Sequence, residues 1–143
     1  MTIFTIGYEG KTLSQYIRLL QKNTVTLVVD VRQNPVSRKR GFSKRQLGEA
    51  LGQAGIEYCH LVELGNPREI RAEFYKNGSA TMLYNQYKQH LSEHPEAVKL
   101  LLDTIENHSA CLTCYEGYPI HCHRGAIAEF LRERYHDIKV VHL

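Results

Sequence analysis

The sequence predicts a single α/β domain over residues 1–143, in which a mostly parallel sheet of about five strands carries helices on both faces. Short β-branched runs alternate with segments whose apolar residues recur at helical spacing, which is typical of parallel sheets with right-handed crossovers. The run VTLVVDV at residues 25–31 is apolar nearly throughout, as in a central strand covered on both faces. A chain of 143 residues with 43% hydrophobic residues can bury a core without disulfides or structural metals.

The first half of the chain contains three predicted strands and two predicted helices. Thr12 and Gln15 predict a capping box at a helix start, and Ser43 and Gln46 predict a second one. The predicted elements are a strand at residues 2–6, a helix at about 13–22, a strand at 25–31, a helix between Ser43 and Gly55, and a strand at 56–61.

The second half begins with a segment whose pattern is weaker. Gly65, Asn66 and Pro67 predict a turn, and Pro95 suits the first turn of a helix. The remaining predicted elements are helices at residues 70–75, 82–92, 95–105 and about 124–135, and strands at 110–115 and 138–143.

Composition and the chain start exclude several protein classes. The net charge of +3 permits an anionic ligand but does not demand nucleic acid. The first residues lack the basic start and apolar run of a signal peptide, and no apolar stretch approaches the roughly 20 residues of a membrane span. We therefore expect a cytoplasmic protein without a membrane partner. Its cysteines, Cys59, Cys111, Cys114 and Cys122, are expected to be reduced thiols.

Residues 111–124, CLTCYEGYPIHCHR, concentrate reactive side chains between a predicted strand and a predicted helix. Open α/β sheets place their ligands at such strand ends. If the helix starts near His123, its dipole favours an anion and lowers the pKa of Cys122, while Arg124 adds a charge-assisted contact to phosphate or carboxylate. The alternative is that Cys122 is a small buried hydrophobic residue and Arg124 a solvated helix residue.

The cysteine spacing excludes one thiol site and weakens another. Phosphotyrosine phosphatases need an arginine six residues after the cysteine, whereas Ala128 follows Cys122 at that spacing. Cys111 and Cys114 have the C-x-x-C spacing of zinc ligands, but residues three apart on a strand face opposite sides. We predict no metal site. The VVDVR segment is similar to the Asp-x-Arg strand end of rhodaneses, but no six-residue anion cradle follows Cys122.

Charged residues also follow the second strand. Asp30 ends that strand and is expected to hold a basic residue in place, and Glu116 is either a general base or a partner of Arg124 or Arg32. Phe42 either stacks on a base or packs on the following helix as a hydrophobic staple. A basic loop, which clamps a phosphate or is simply solvated, contains six of the eighteen Lys and Arg residues: Arg32, Arg38, Lys39, Arg40, Lys44 and Arg45.

Five segments together resemble the domain-of-unknown-function family 488, an uncharacterised α/β family. They are TIGYEGKTL, VVDVRQNPVSRKRGFSKRQL, LGQAGIEYCHLVELG, LTCYEGYPIHCHRGAIAEFL and VVHL, in family order and over essentially the whole chain. The chain departs from the family in having Leu64-Gly65-Asn66 where a paired glycine follows the third strand. The motif positions that the resemblance implies are Asp30, Arg32, Pro35, Ser37, Arg38, Phe42, Cys114, Glu116, Cys122, His123 and Arg124.

These observations lead to one functional hypothesis and two alternatives. We expect an anion-binding pocket acting on a phosphate-bearing substrate, either a nucleotide or a nucleic acid, with Glu116, Cys122 and His123 as catalytic residues. The expected substrate-binding residues are Asp30, Arg32, Ser37, Arg38, Phe42, Cys114 and Arg124. The alternatives are a nucleic-acid-binding accessory module without chemistry and a thiol-based metal or redox sensor.

Overall fold

Five β-strands and six α-helices make up the chain in the computed structural model, which describes residues 1–143. The strands are β1 (Thr2–Gly7), β2 (Leu27–Asp30), β3 (Glu57–His60), β4 (Ala110–Cys114) and β5 (Lys139–His142). The helices are α1 (Leu13–Lys22), α2 (Lys44–Gln53), α3 (Arg68–Asn77), α4 (Ala80–Glu93), α5 (Pro95–Ile105) and α6 (His123–Arg134). Short 3₁₀ turns occupy Val62–Leu64 and Pro119–His121. The predicted α/β fold is confirmed.

All five strands run parallel, in the order β3-β2-β4-β1-β5. The helices that follow β1 and β2 pack on one face of the sheet, and α4, α5 and α6 pack on the other. The helix that follows β4 therefore packs on the opposite face of the sheet from the helices that follow its two neighbouring strands, β1 and β2. Such a switch point opens a crevice at the carboxyl ends of the strands, where open α/β sheets bind their ligands.

Two hydrophobic cores lie on opposite faces of the sheet, and strand alternation distributes residues between them. On β4, Cys111 belongs to the core beneath α1 and α2, whereas Leu112 and Cys114 belong to the core beneath α4, α5 and α6. The prediction that Cys111 and Cys114 point apart is confirmed. None of the six α-helices combines the length and the apolar composition that crossing a membrane requires.

One predicted capping box is confirmed and the other is wrong. Thr12 Oγ1 accepts from the backbone of Gln15 at 3.1 Å, and the Gln15 side chain accepts from the Thr12 N–H at 2.9 Å. Ser43 does precede α2, but its hydroxyl accepts from the Ser37 N–H at 3.0 Å and donates to the Ser37 carbonyl at 3.2 Å. Gln46 accepts from the Gly41 N–H instead. Both side chains thus stabilise the basic loop rather than the helix end.

Candidate functional site

A cavity of about 330 Å³ opens at the carboxyl ends of β1, β2 and β4. Its walls come from both segments that the sequence singled out, the basic loop and residues 114–123, and from α3. Of the ten predicted site residues, seven line it: Arg32, Ser37, Arg38, Cys114, Glu116, Cys122 and His123. Asp30, Phe42 and Arg124 are fully buried and do not line it, and contact of these three with a substrate stays a prediction.

Asp30 and Arg32 form a closed ion pair behind one wall. The Nε and Nη2 atoms of Arg32 donate to the Asp30 carboxylate at 2.7–3.1 Å, and Nη1 donates to the Tyr8 hydroxyl and the Phe42 carbonyl. The Tyr58 hydroxyl donates to Asp30 at 2.6 Å. Burial opposes ionisation of Arg32, but the hydrogen bonds to Asp30 prevail and raise its pKa. Four of its five N–H groups are engaged, so Arg32 mainly fixes the loop in place.

Phe42 anchors the basic loop in the apolar core. Its ring has no exposed surface, stacks on Tyr8 with ring centroids 4.5 Å apart, and meets Tyr16 edge to face at 5.2 Å. Leu47 belongs to the same apolar cluster, which agrees with the staple interpretation. Because the ring is completely buried, neither of its faces is open to a base in this structure.

Arg124 is buried behind the opposite wall but has no carboxylate partner. Its Nη1 atom donates to the Glu116 carbonyl at 2.6 Å and to Cys114 Sγ at 3.1 Å, and its Nε atom has no partner. Burial lowers its pKa. Gly7 makes this arrangement possible, since a Cβ atom there would collide with the Glu116 carbonyl. Of the alternatives for Glu116, pairing of its carboxylate with Arg124 is therefore not what the structure has, whereas contact of Arg124 with a ligand stays a prediction.

Cys122 is the N-cap of α6, which begins at His123. Its Sγ atom accepts from the Arg124 backbone N–H at 3.4 Å and lies 3.7 Å from His123 Nδ1. His123 Nε2 lies 2.6 Å from the Val31 carbonyl, which assigns the proton to Nε2 and leaves Nδ1 as an acceptor. Burial lowers the pKa of His123 to about 4. At neutral pH this imidazole is therefore uncharged.

The sulfur atoms of Cys114 and Cys122 lie in bonding contact at the cavity floor. The prediction of four separate thiols is therefore corrected for Cys114 and Cys122, while Cys59 and Cys111 are free. The Cα atoms of Cys114 and Cys122 are 7.5 Å apart, which is wider than the roughly 4.4–6.8 Å usual for disulfides. The Glu116 carboxylate lies 3.4 Å from Cys114 Sγ, and burial raises its pKa.

The cavity mouth combines cations with exposed aromatic rings. Arg38 lies on the basic loop, Arg71 comes from α3, and neither side chain has an ion-pair or hydrogen-bond partner. Tyr75 and Tyr115 line the mouth and are 71% and 47% exposed. The sequence interpretation missed Arg71 and Tyr75 because α3 buries no residue, which leaves no clear apolar period to place its polar face.

Comparisons with known proteins give one family and one distant relative. The family model described as a domain of unknown function, DUF488, matches residues 12–131. Nuclear egress protein 1 of Alcelaphine herpesvirus 1 (strain C500) is 31% identical over 81 residues, which are 56% of this chain and 29% of that protein. The chain thus spans less than a third of that relative's length. No solved structure matches the chain.

Proposed function

We propose that this chain, which belongs to the DUF488 family, binds a phosphate-bearing molecule such as a nucleotide in the cavity and reacts with it at the cavity floor. The observation that carries this proposal is the charge of the lining. Three arginines, Arg32, Arg38 and Arg71, face a single carboxylate, Glu116. The switch point of a parallel sheet is where α/β proteins bind such ligands. A cytoplasmic location stays a prediction.

Arg38 and Arg71 are the phosphate-binding residues in this proposal. Both line the cavity without any ion pair or hydrogen bond to the protein, so their guanidinium groups are free to bind an anion bidentately. Arg32, by contrast, has one uncommitted N–H group left. Its contribution is to hold the basic loop, and with it Arg38, at the cavity wall.

The reacting groups in this proposal are Glu116, Cys122 and His123. All three line the cavity, and none is fully solvated. The Glu116 carboxyl, whose pKa burial raises, suits transfer of a proton to or from a substrate. In the reduced chain, where Cys122 is not bonded to Cys114, its Sγ atom lies at the N-terminus of α6, whose dipole favours a thiolate, and the neutral His123 Nδ1 lies beside it.

The double variant Arg38→Ala/Arg71→Ala tests the binding step. We expect calorimetric titration with ATP, a nucleoside monophosphate and inorganic phosphate to give at least a tenfold loss of affinity, which is about 1.4 kcal/mol. Thermal stability is expected to change little, because neither side chain has a partner to lose. The matched control is Arg45→Ala, whose side chain is exposed and pairs only with Glu49. Equal affinity in the double variant, or no binding by the parent chain, contradicts the proposal.

The exposed tyrosines favour a second candidate, a nucleic-acid-binding module without chemistry. Tyr75 and Tyr115 stand beside unpaired arginines, and aromatic rings next to a basic groove bind single strands by stacking. Binding of an oligonucleotide by such a module falls steeply with salt and survives Cys122→Ser and Glu116→Gln. Loss of an activity in those two variants, with binding retained, favours the enzyme.

A further inference from the structure

Three ligand-type atoms converge at the cavity floor. Cys114 Sγ, Cys122 Sγ and a carboxylate oxygen of Glu116 all lie within 4.8 Å of one another, and Cys114 Sγ is 3.4 Å from Glu116 Oε2. Atoms that coordinate one tetrahedral zinc ion at about 2.0–2.3 Å are about 3.3–3.8 Å from each other. The three residues are therefore close enough to share one metal ion once the two sulfur atoms are reduced and separate to that spacing, and all three line the cavity.

We propose that Cys114, Glu116 and Cys122 bind one zinc ion, with a fourth coordination position open to the cavity. Two thiolates select a soft or borderline ion, and three protein ligands with one open position are typical of catalytic zinc sites. The site itself stands on this cluster alone. Only its role, polarisation of a bound phosphate, rests on the proposed function. In that role Glu116 and Cys122 act as ligands rather than as base and nucleophile.

The buried charge of Arg124 favours the ionised form of the two thiols and of Glu116, which is the form that binds a metal ion. Its side chain is fully buried and no carboxylate lies within ion-pair distance, and a buried cation without a counter-charge is costly. With both thiols and Glu116 ionised, three negative charges face one divalent ion and the Arg124 guanidinium, and the cluster is neutral. Without the ion, Arg124 balances only one of the three.

Each sulfur atom already accepts an N–H hydrogen bond. Arg124 donates to Cys114 Sγ from its side chain at 3.1 Å and to Cys122 Sγ from its backbone at 3.4 Å. Such outer-shell donors orient thiolates around a metal and stabilise their negative charge. One residue thus holds both sulfurs from behind, on the side away from the cavity.

Metal binding and a sulfur–sulfur bond exclude each other at this pair, since both thiolates are needed as ligands. The Cα separation of 7.5 Å leaves room for an ion between the two side chains. A metal site built from Cys114 and Cys122 does not need Cys111, which points into the core on the other face of the sheet.

Cobalt and zinc titrations of the metal-free, reduced full chain test the site. We expect one Co²⁺ per chain with a thiolate-to-cobalt absorption band, and displacement by one equivalent of Zn²⁺. Cys114→Ser and Cys122→Ser are each expected to lose at least tenfold in affinity and to weaken the band. Glu116→Gln is expected to lose affinity but to keep the thiolate-to-cobalt band. Cys59→Ser, which removes a free thiol on β3, is the matched control. Absence of the band in the parent chain, or a metal affinity in both cysteine variants equal to that of the parent chain, overturns the proposal.

Alkylation of the parent chain provides a test that needs no variant to fold. Zinc is expected to protect Cys114 and Cys122 from iodoacetamide, mapped by mass spectrometry, and to leave labelling of Cys59 unchanged. Equal labelling with and without zinc overturns the proposal. Arg38→Ala/Arg71→Ala is expected to bind zinc normally, so failure of the metal site and failure of phosphate binding give different results.

Discussion

Arg32 and Arg124 are both buried arginines beside the cavity, one after β2 and the other in the first turn of α6. Arg32 faces a carboxylate and commits four of its N–H groups to Asp30, Tyr8 and Phe42. Arg124 faces two backbone carbonyls and a sulfur atom, and its Nε atom has no partner. The Arg32 wall is electrostatically complete, whereas the Arg124 wall lacks a counter-charge. Ionised Cys114, Glu116 and Cys122 would supply that counter-charge, which is why the proposed metal ligands lie at the Arg124 wall.

The largest expected loss of stability is that of removing Arg32, which has its full set of partners. Arg32→Met leaves the Asp30 carboxylate buried without its cation, and breaking a buried pair in this way costs about 3–5 kcal/mol. Urea unfolding followed by circular dichroism measures the loss. Arg45→Met, which breaks an exposed pair with Glu49, is the control and is expected to lose far less. A loss for Arg32→Met as small as that of the control contradicts the structural role of this pair.

The next largest effect is stabilisation of the reduced chain by zinc. An ion at 100 times its Kd adds about 2.7 kcal/mol to the free energy of unfolding, provided that it binds only the folded state. We expect a corresponding rise in Tm for the parent chain and for Cys59→Ser, reversed by a chelator. Cys122→Ser is expected to show little rise. An equal rise in this variant places the ion elsewhere on the chain.

The smallest effect is that of removing Arg124 from the metal-free chain. Arg124→Met replaces a cation without a carboxylate partner by an apolar side chain, which is often nearly neutral for stability. We therefore expect less than half of the loss seen for Arg32→Met in the same unfolding assay. The zinc affinity of Arg124→Met is expected to fall, because Cys114 Sγ loses the N–H donor that orients it and stabilises its thiolate. A loss of stability equal to that of Arg32→Met removes the contrast between the two walls.

The fold and the location of the cavity follow from local patterns in the sequence. The apolar run at residues 25–31 predicts a central strand, and β2 lies inside the sheet with all four residues buried. Polar residues after β2 and β4 predict a common site, because the carboxyl ends of parallel strands meet at one edge. Thr12 and Gln15 predict a helix start correctly because a capping box involves only neighbouring residues.

The direction of the charged side chains could not be predicted in the same way. Arg32 and Arg124 turn inward because Asp30 and the Glu116 carbonyl receive them, and such partners are known only once the strands are assembled. Ser43 caps the loop through Ser37 for a similar reason. Cys114 meets Cys122 because the turn at Pro119–His121 folds the chain back, whereas spacing alone favours Cys111 as its partner.

The most direct test of a metal-binding cavity floor is X-ray diffraction from crystals grown under reducing conditions with zinc and inorganic phosphate, with data collected at the zinc absorption edge. We expect one anomalous peak per chain between Cys114 Sγ, Cys122 Sγ and the Glu116 carboxylate, with phosphate on its cavity side contacting Arg38 or Arg71. A floor without a peak, or zinc bound only at surface histidines, contradicts this expectation.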